Sequence, residues 1–112
     1  MSVKLERLQN EFVEKISQII REEVKDKTID FVTITSSRIS SDLSYAKIYF
    51  TCLNLDKKKD IEKSLNKASK FIEMKLSEIV DIRKMPELSF VYDDSIEYGN
   101  RIEEIIEKIN NE

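Results

Sequence analysis

The chain contains no histidine and little of what small enzymes usually rely on. Without imidazole it lacks the usual general base at neutral pH and the commonest metal ligand. The chain has a single cysteine, Cys52, which excludes an internal disulfide and a cysteine-rich zinc cluster. We interpret Cys52 as a small residue that packs within a strand. The single glycine, Gly99, excludes a glycine-rich phosphate loop. We therefore predict no catalytic residue, no metal and no cofactor.

Long apolar runs are also missing. No stretch of about 18 apolar residues occurs, and the charged N-terminal segment is not typical of a signal peptide, so the sequence predicts no contact with a membrane. The 112 residues, 40% of them hydrophobic, suffice for one modest core. One glycine and one proline argue against a loop-rich or disordered chain. We expect one cytoplasmic domain covering residues 1–112.

The net charge of −3 by itself disfavours a nucleic-acid-binding protein, but the charges are unevenly distributed along the chain. Residues 56–84 carry nine cationic and six anionic side chains, whereas residues 85–112 carry two and eight. An asymmetry of this kind indicates that one face is suited to an anionic partner.

Hydrophobic periodicity predicts a helix followed by a hairpin. Apolar residues recur every three or four positions from Leu5 to Val24, which predicts an amphipathic helix. Alternation over Phe31 to Thr35, and again from Leu43 to Thr51, predicts two strands. Ser40 and Asp42 lie between them and favour a turn, because their side chains bond to nearby backbone groups.

The second half of the chain predicts a long helix, a third strand and a final helix. Apolar residues between Asp56 and Val80 fall within a sector of roughly 80° on a helical wheel. Alternation from Leu88 to Asp93 predicts the strand, and the last helix begins near Asn100. The resulting order, with a three-stranded sheet packed against helices, predicts an α+β fold.

Exposed cations are the main candidate functional residues. Lysines recur on the long helix opposite its apolar sector, and other cations flank them in sequence. Such side chains can contact a phosphate backbone, although a solvated lysine face that only keeps a protein soluble is an equally good interpretation. The candidates are Lys59, Lys63, Lys67 and Lys70 on the helix, Arg38 and Lys47 on the hairpin, and Arg83 and Lys84 after the helix.

We expect the cations of the helix and of the hairpin to share one exterior surface. The outward strand residues Tyr45 and Tyr49 could stack on bases there, although aromatic residues on a small sheet more often serve packing.

Four segments, which together cover most of the chain, form a recognisable pattern. The segments are "REEVKDKTIDFVTIT" (Arg21 to Thr35), "SSDLSYAKIYFT" (Ser40 to Thr51), "LNKASKFIEMKL" (Leu65 to Leu76) and "MPELSFVYDDSIEYGNRIEEII" (Met85 to Ile106). The most specific combination is S-x-D-L-S-x-A-K-x-Y-F followed at the right distance by P-E-L-x-F-x-Y-D-x-S-I-E-x-G-x-R-I. In this order, and over essentially the whole chain, the sequence resembles the ribosome-binding factor A family of bacterial ribosome-assembly factors.

The resemblance implies a type II KH-like domain that binds the small ribosomal subunit through 16S rRNA. It also implies assistance in late maturation of the 16S rRNA 5′ end, by binding and remodelling, with most importance in the cold. Displacement by an assembly GTPase is compatible with this role, and we expect a monomer. Within the matched motif, we expect Ser40 and Asp42 to fix the hairpin.

The resemblance also implies a kink in the long helix, where the family has Ala-x-Gly. Here the matching residues are Ala68, Ser69 and Lys70, so the glycine is missing. Lysine is favoured over glycine in a helix by somewhat under 1 kcal/mol, so we expect a milder break. Ser69 and Lys70 are further candidate RNA contacts, and Glu73 stands where arginine is common, which weakens the same surface.

Two other classes of function stay open from the residues alone. One is a small protein-interaction or oligomerisation module without RNA binding, in which Tyr45 and Tyr49 form the interface. The other is a hydrolase, which the missing imidazole and the missing glycine-rich loop disfavour.

Overall fold

The first described element is an amphipathic helix. The computed structural model describes residues 3–29 and 31–95. Helix α1 spans Val3–Glu22 and buries Phe12, Ile16, Ile19 and Ile20, as the periodicity predicted. Arg21 lies in the last turn, where a cation interacts favourably with the exposed carbonyls of the helix end.

Strands β1 (Val32–Ile39) and β2 (Tyr45–Cys52) form an antiparallel hairpin. The register shifts between Ile34 and Ser36, so β1 contains a bulge. In β2 the alternation of buried and more exposed residues follows the predicted pattern, with Ala46, Ile48 and Phe50 facing the core. The first strand is longer than the sequence pattern predicted and extends to the hairpin turn itself.

The predicted long helix is two helices. A short 3-10 turn, Leu55–Lys57, leads into α2 (Lys58–Lys67), and α3 (Ser69–Ile79) follows after an interruption at Ala68. Ala68 has φ −87° and ψ 0°, yet the amide of Ile72 still donates to its carbonyl at 3.0 Å. The chain therefore bends at one residue while hydrogen bonding continues on both sides of the bend.

Strand β3 (Glu87–Tyr92) pairs in parallel with β2, which gives a mixed sheet of order β1-β2-β3. Leu88 and Phe90 face the core, and Ser89 faces the other side, as predicted. The α+β prediction is confirmed, with three helices and a three-stranded sheet in the described ranges. The final helix predicted from about Asn100 lies outside the described residues.

One apolar cluster joins the inner face of the sheet to the helices. Phe12 of α1, Phe50 of β2 and Phe90 of β3 are its largest members, each at most 1% exposed. Cys52 is buried in the same cluster, in agreement with its interpretation as a strand residue. Because the helices cover one side of the sheet, the outward residues of the strands lie on the opposite side of the molecule.

Helix α1 is tied to the free edge of β1 by side chains. The buried Ser37 hydroxyl donates to the carbonyl of Gln9 at 2.6 Å, and the amide of Ile39 donates to Gln9 Oε1 at 2.9 Å. No helix in the described ranges is both long enough and apolar enough to cross a bilayer.

Candidate functional site

The turn between β1 and β2 is organised by Ser40 and Asp42. The hydroxyl of Ser40 donates to Asp42 Oδ1 at 2.8 Å, and the amide of Ser44 donates to both side chains at 3.1 Å. These bonds, led by that from the Ser40 hydroxyl, hold the pKa of Asp42 below its usual range. Leu43 has φ 60°, a left-handed conformation that costs a non-glycine residue free energy, so the surrounding hydrogen bonds stabilise a strained turn.

Arg38 and Lys47 are direct cross-strand neighbours on the outward side of the hairpin. Their Cα atoms are register partners, and Lys47 is in turn the partner of Ser89 in β3. Both cations are exposed, and neither has an ion pair with another described residue. Tyr45, two residues before Lys47 on β2, lies on the same face and is 65% exposed. We call this surface, made of Arg38, Tyr45, Lys47, Tyr49 and Ser89, the open sheet face.

The lysines of α2 form a second cationic group. Lys59, Lys63 and Lys67 are exposed on the side of α2 opposite the buried Ile61 and Leu65. Residues four positions apart lie about 6 Å apart along a helix axis, so the three ammonium groups follow one line of about 12 Å. Within residues 3–29 and 31–95 the structure gives none of them a carboxylate partner. We call these three the helix cations.

Lys70 differs from the helix cations because it is paired. Its Nζ lies 3.6 Å from Glu73 Oε1, and the Lys70 side chain is 78% exposed. Ser69, the other candidate contact at the kink, is half-buried. The groove beside the bend is lined by Glu23 and Asp26 as well as by Lys67, so both signs of charge meet there. The kink is therefore a weaker anion site than the side of α2.

Arg83 and Lys84 lie between α3 and β3 and are both exposed. Lys84 Nζ is 3.5 Å from the Ser44 hydroxyl, and its charge contributes to the lowered pKa of Asp42. Lys84 therefore belongs to the hairpin end of the sheet rather than to α2.

The expectation that the cations of the helix and of the hairpin share one exterior surface stays a prediction. The helix cations project from α2 on the side turned away from the apolar cluster, whereas Arg38 and Lys47 lie on the open sheet face. The two groups therefore belong to different layers of the fold. Sequence periodicity identified each outward residue but not the relation between the two layers.

A row of polar side chains closes the free edge of β3, and sequence reasoning missed it. Three β3 amides point away from β2, and each finds an acceptor on α2 or α3. The bonds are Tyr92 N–H to Glu62 Oε2 at 2.9 Å, Phe90 N–H to Asn66 Oδ1 at 2.8 Å, and Leu88 N–H to Glu73 Oε2 at 3.4 Å. An open strand edge can pair with another chain, so these contacts protect it. In the sequence, this closure is signalled only by polar residues that border the apolar side of α2 and α3.

Asp93 is a second residue that the sequence did not single out. Its carboxylate accepts bonds from the Ser95 hydroxyl at 2.6 Å and from the Thr35 hydroxyl at 2.7 Å. These bonds, Ser95 first, hold the pKa of Asp93 below its usual range. Asp93 thereby ties the end of β3 to the bulged strand β1.

A metal ion requires several ligating side chains gathered at one point. Among the described residues, histidine, cysteine and acidic side chains do not gather in any group of three or more that could hold a metal ion. The structure instead offers two exposed cationic surfaces and a closed strand edge.

The fold and these surfaces define a small α+β protein of the KH-like class. The family model for ribosome-binding factor A matches residues 4–106. Ribosome-binding factor A of Staphylococcus epidermidis is 41% identical over 110 residues, covering 97% of this chain and 95% of that protein. The chain belongs to the ribosome-binding factor A family.

Solved structures agree on the fold. The crystal structure of ribosome-binding factor A from Thermus thermophilus superposes with a TM-score of 0.72 at 19% identity, covering 79% of this chain and 94% of that one. A homology model of the Thermus thermophilus factor, fitted into a cryo-EM map of its complex with the 30S subunit, gives a TM-score of 0.66 at 19% identity, covering 79% of this chain and 93% of that one.

Proposed function

We propose that this protein is a ribosome-assembly factor that binds the small ribosomal subunit and its 16S rRNA. It assists late maturation of the 16S rRNA 5′ end by binding and remodelling, and it breaks no bond itself. Membership of the ribosome-binding factor A family supports the partner, as does the fit of a relative into a map of a 30S complex.

The observation that carries the proposal is the line of helix cations. Lys59, Lys63 and Lys67 are exposed and lack carboxylate partners among the described residues. Lysines that neutralise phosphates release condensed counterions, which gives affinity for RNA without sequence preference. A spacing of about 6 Å per helical turn lets successive lysines reach neighbouring phosphates of one strand.

The other cations have graded roles in this proposal. Arg38 and Lys47 touch RNA from the open sheet face, and Arg83 and Lys84 add contacts at the hairpin end. Ser69 and Lys70 contribute at the kink, where Glu73 reduces the effect of Lys70. Ser40 and Asp42 hold the hairpin and act on binding only through its shape.

The remaining parts of the proposal concern the setting. The chain works as a single domain and as a cytoplasmic monomer, its role matters most in the cold, and an assembly GTPase displaces it. The single domain and the cytoplasmic location are expected from the length and composition of the chain, and the importance in the cold and the GTPase from its resemblance to the family.

Co-sedimentation with 30S particles tests the proposal. The wild-type protein is expected to sediment with the particles at about 50 mM salt, and to be released as salt rises to about 200 mM. The variant K59Q/K63Q/K67Q is expected to bind at least ten-fold more weakly. A matched control, K4Q/R7Q/K15Q, removes the same charge from α1 and should bind nearly as the wild type does.

Salt-insensitive binding, or equal losses in both triple variants, would contradict the assignment of the surface. A concentration-dependent dimer that ignores ribosomal particles would instead favour the alternative, an interaction module that associates through the exposed Tyr45.

A further inference from the structure

The open sheet face and the helix cations belong to different layers of the fold. Helix α1 contacts β1, and α2 and α3 contact β3, and their apolar residues join the inner side of the sheet in one cluster. Side chains of α2 and α3 also close the outer edge of β3. An RNA strand that lies along α2 must therefore pass this edge to reach Arg38 and Lys47.

The chemistry of this face is that of a platform for bases and phosphates. Along β2, Tyr45, Lys47 and Tyr49 alternate with core residues, so all three project outward. Their neighbours on the adjoining strands include the short hydroxyl side chains of Ser36 and Ser89, which leave the rings and the ammonium group accessible. Aromatic rings on a sheet stack on unpaired bases, whereas bases in a duplex are already stacked and out of reach.

The charges around the face favour an anionic partner. Arg38 and Lys47 lie side by side without an ion pair to another described residue. Two nearby carboxylates are already engaged, that of Asp93 with Thr35 and Ser95, and that of Asp42 with Ser40. Glu87, the register partner of Tyr45, is an exposed acid at the end of this face. The balance at the centre of the face is cationic.

The dimensions suit a short single strand. Tyr45 and Tyr49 are four residues apart on β2, which corresponds to about 13 Å along the strand. Two rings at that distance, with a lysine and an arginine between them, match a few nucleotides of extended RNA rather than a folded protein surface.

We propose that the open sheet face binds an unpaired RNA segment independently of the helix cations, so that one molecule holds two RNA segments at two surfaces. The inference deepens the proposed function and rests on it in one respect, that RNA is the partner. In a maturing small subunit, such a protein would keep two rRNA segments in a fixed relation until assembly proceeds.

The test uses the full chain and a labelled unpaired ten-nucleotide oligoribonucleotide, with binding followed by fluorescence anisotropy. The variant R38Q/K47Q is expected to bind this probe at least ten-fold more weakly. The slope of log affinity against log salt should fall by about 1.4 for two lost phosphate contacts to a single strand. The matched variant K4Q/R7Q removes the same charge from α1 and should stay within about three-fold of the wild type.

Stacking is tested separately at Tyr45, which is exposed and can be changed without opening the core. Tyr45→Phe should keep the affinity for the ten-nucleotide probe, whereas Tyr45→Ser should lower it about ten-fold. Capture of the labelled probe by protein already bound to an immobilised RNA duplex should occur with the wild type and fail with R38Q/K47Q.

Three results would overturn the inference. The first is an equal loss of probe binding in R38Q/K47Q and K4Q/R7Q, and the second is equal binding of an acidic glutamate peptide and the RNA probe. The third is sedimentation that depends on the helix cations together with probe binding that R38Q/K47Q leaves unchanged, which would exclude only the second surface. If the proposed function fails, the wild type does not sediment with 30S particles at all.

Discussion

A single amide side chain, that of Asn66, satisfies both hydrogen-bonding groups of Phe90 on the free edge of β3. Its Oδ1 accepts from the Phe90 amide at 2.8 Å, and its Nδ2 donates to the Phe90 carbonyl at 2.9 Å. An asparagine side chain presents the same donor and acceptor pair as a neighbouring strand would. Helix α2 thus takes the place of a fourth strand at this one position.

Replacing Asn66 by alanine should lower the free energy of unfolding by about 2 kcal/mol. Two partly buried backbone groups lose their partners, and each unsatisfied group costs about 1–3 kcal/mol when water does not replace the bond. Urea denaturation followed by circular dichroism measures the change. Lys63→Ala, on the exposed side of the same helix, is the control and should change stability by no more than about 0.5 kcal/mol. Equal effects of the two substitutions would contradict the role of Asn66.

The lowered pKa of Asp93 predicts how the stability of the fold depends on pH. Bonds from Ser95 and Thr35 hold its pKa in the folded state below the ordinary value of 3.8. A carboxyl whose pKa is lowered by folding stabilises the fold above its unfolded-state pKa, and this contribution disappears as pH falls through the folded-state value. The wild type should therefore be more stable than D93N at pH 7, and the difference should shrink below about pH 4.

Urea midpoints measured from pH 7 to pH 3 give that comparison. D94N removes the same charge at the neighbouring exposed position and should leave the acid limb of the stability curve unchanged. If stability falls with decreasing pH in the same way in the wild type and in D93N, the ionisation of Asp93 does not contribute to the pH dependence of folding.

At the scale of elements, the bend between α2 and α3 occurs without the glycine that its family resemblance implies. Leu65 before the bend and Ile72 after it are both fully buried, so packing fixes the two segments in place. Ala68 adopts the conformation between them that lets both segments bury their apolar sides. Tertiary packing outweighs the helix propensity of Ser69 and Lys70 here.

Introducing the glycine therefore tests whether packing or backbone freedom makes the bend. Lys70→Gly should lower stability by up to about 1 kcal/mol, because Lys70 lies in the first turn of α3 and pairs with Glu73. The Cα chemical shifts of the Lys70→Gly variant should still show the helix interrupted at Ala68. Lys70→Ala removes only the ion pair and should cost less. A Lys70→Gly protein that is as stable as the wild type would indicate that the bend is strained for lack of glycine.

Patterns in the sequence predicted the elements better than their boundaries and contacts. The alternation in Tyr45 to Thr51 and the apolar stripe around Ile61 and Leu65 follow from local periodicity, and the structure confirms them. The interruption at Ala68 came from the family resemblance, because periodicity alone continues through it. The closure of β3 by Glu62 and Asn66 depends on how a helix lies beside a strand, which no local pattern records.

At the scale of the whole molecule, the two cationic groups explain how an anionic chain can be suited to RNA. Net charge is −3, yet the helix cations and the pair of Arg38 and Lys47 each stand without an acidic partner in the part of the chain that the structure describes. Local potential at short range decides contact with a phosphate, since charges farther than about 8–10 Å are screened at physiological salt. The placement of the two groups on different layers of the fold, the helix layer and the sheet, is what a bridging role requires.

Lysine footprinting on the complex with 30S particles tests the central claim most directly. Amine acetylation is compared at each lysine, by mass spectrometry, for the free protein and for the protein bound to small subunits. The account predicts that Lys59, Lys63 and Lys67 become protected at least several-fold in the complex, while Lys4 and Lys15 on α1 react at unchanged rates. Equal reactivity of the three helix lysines in the free and bound protein would contradict it.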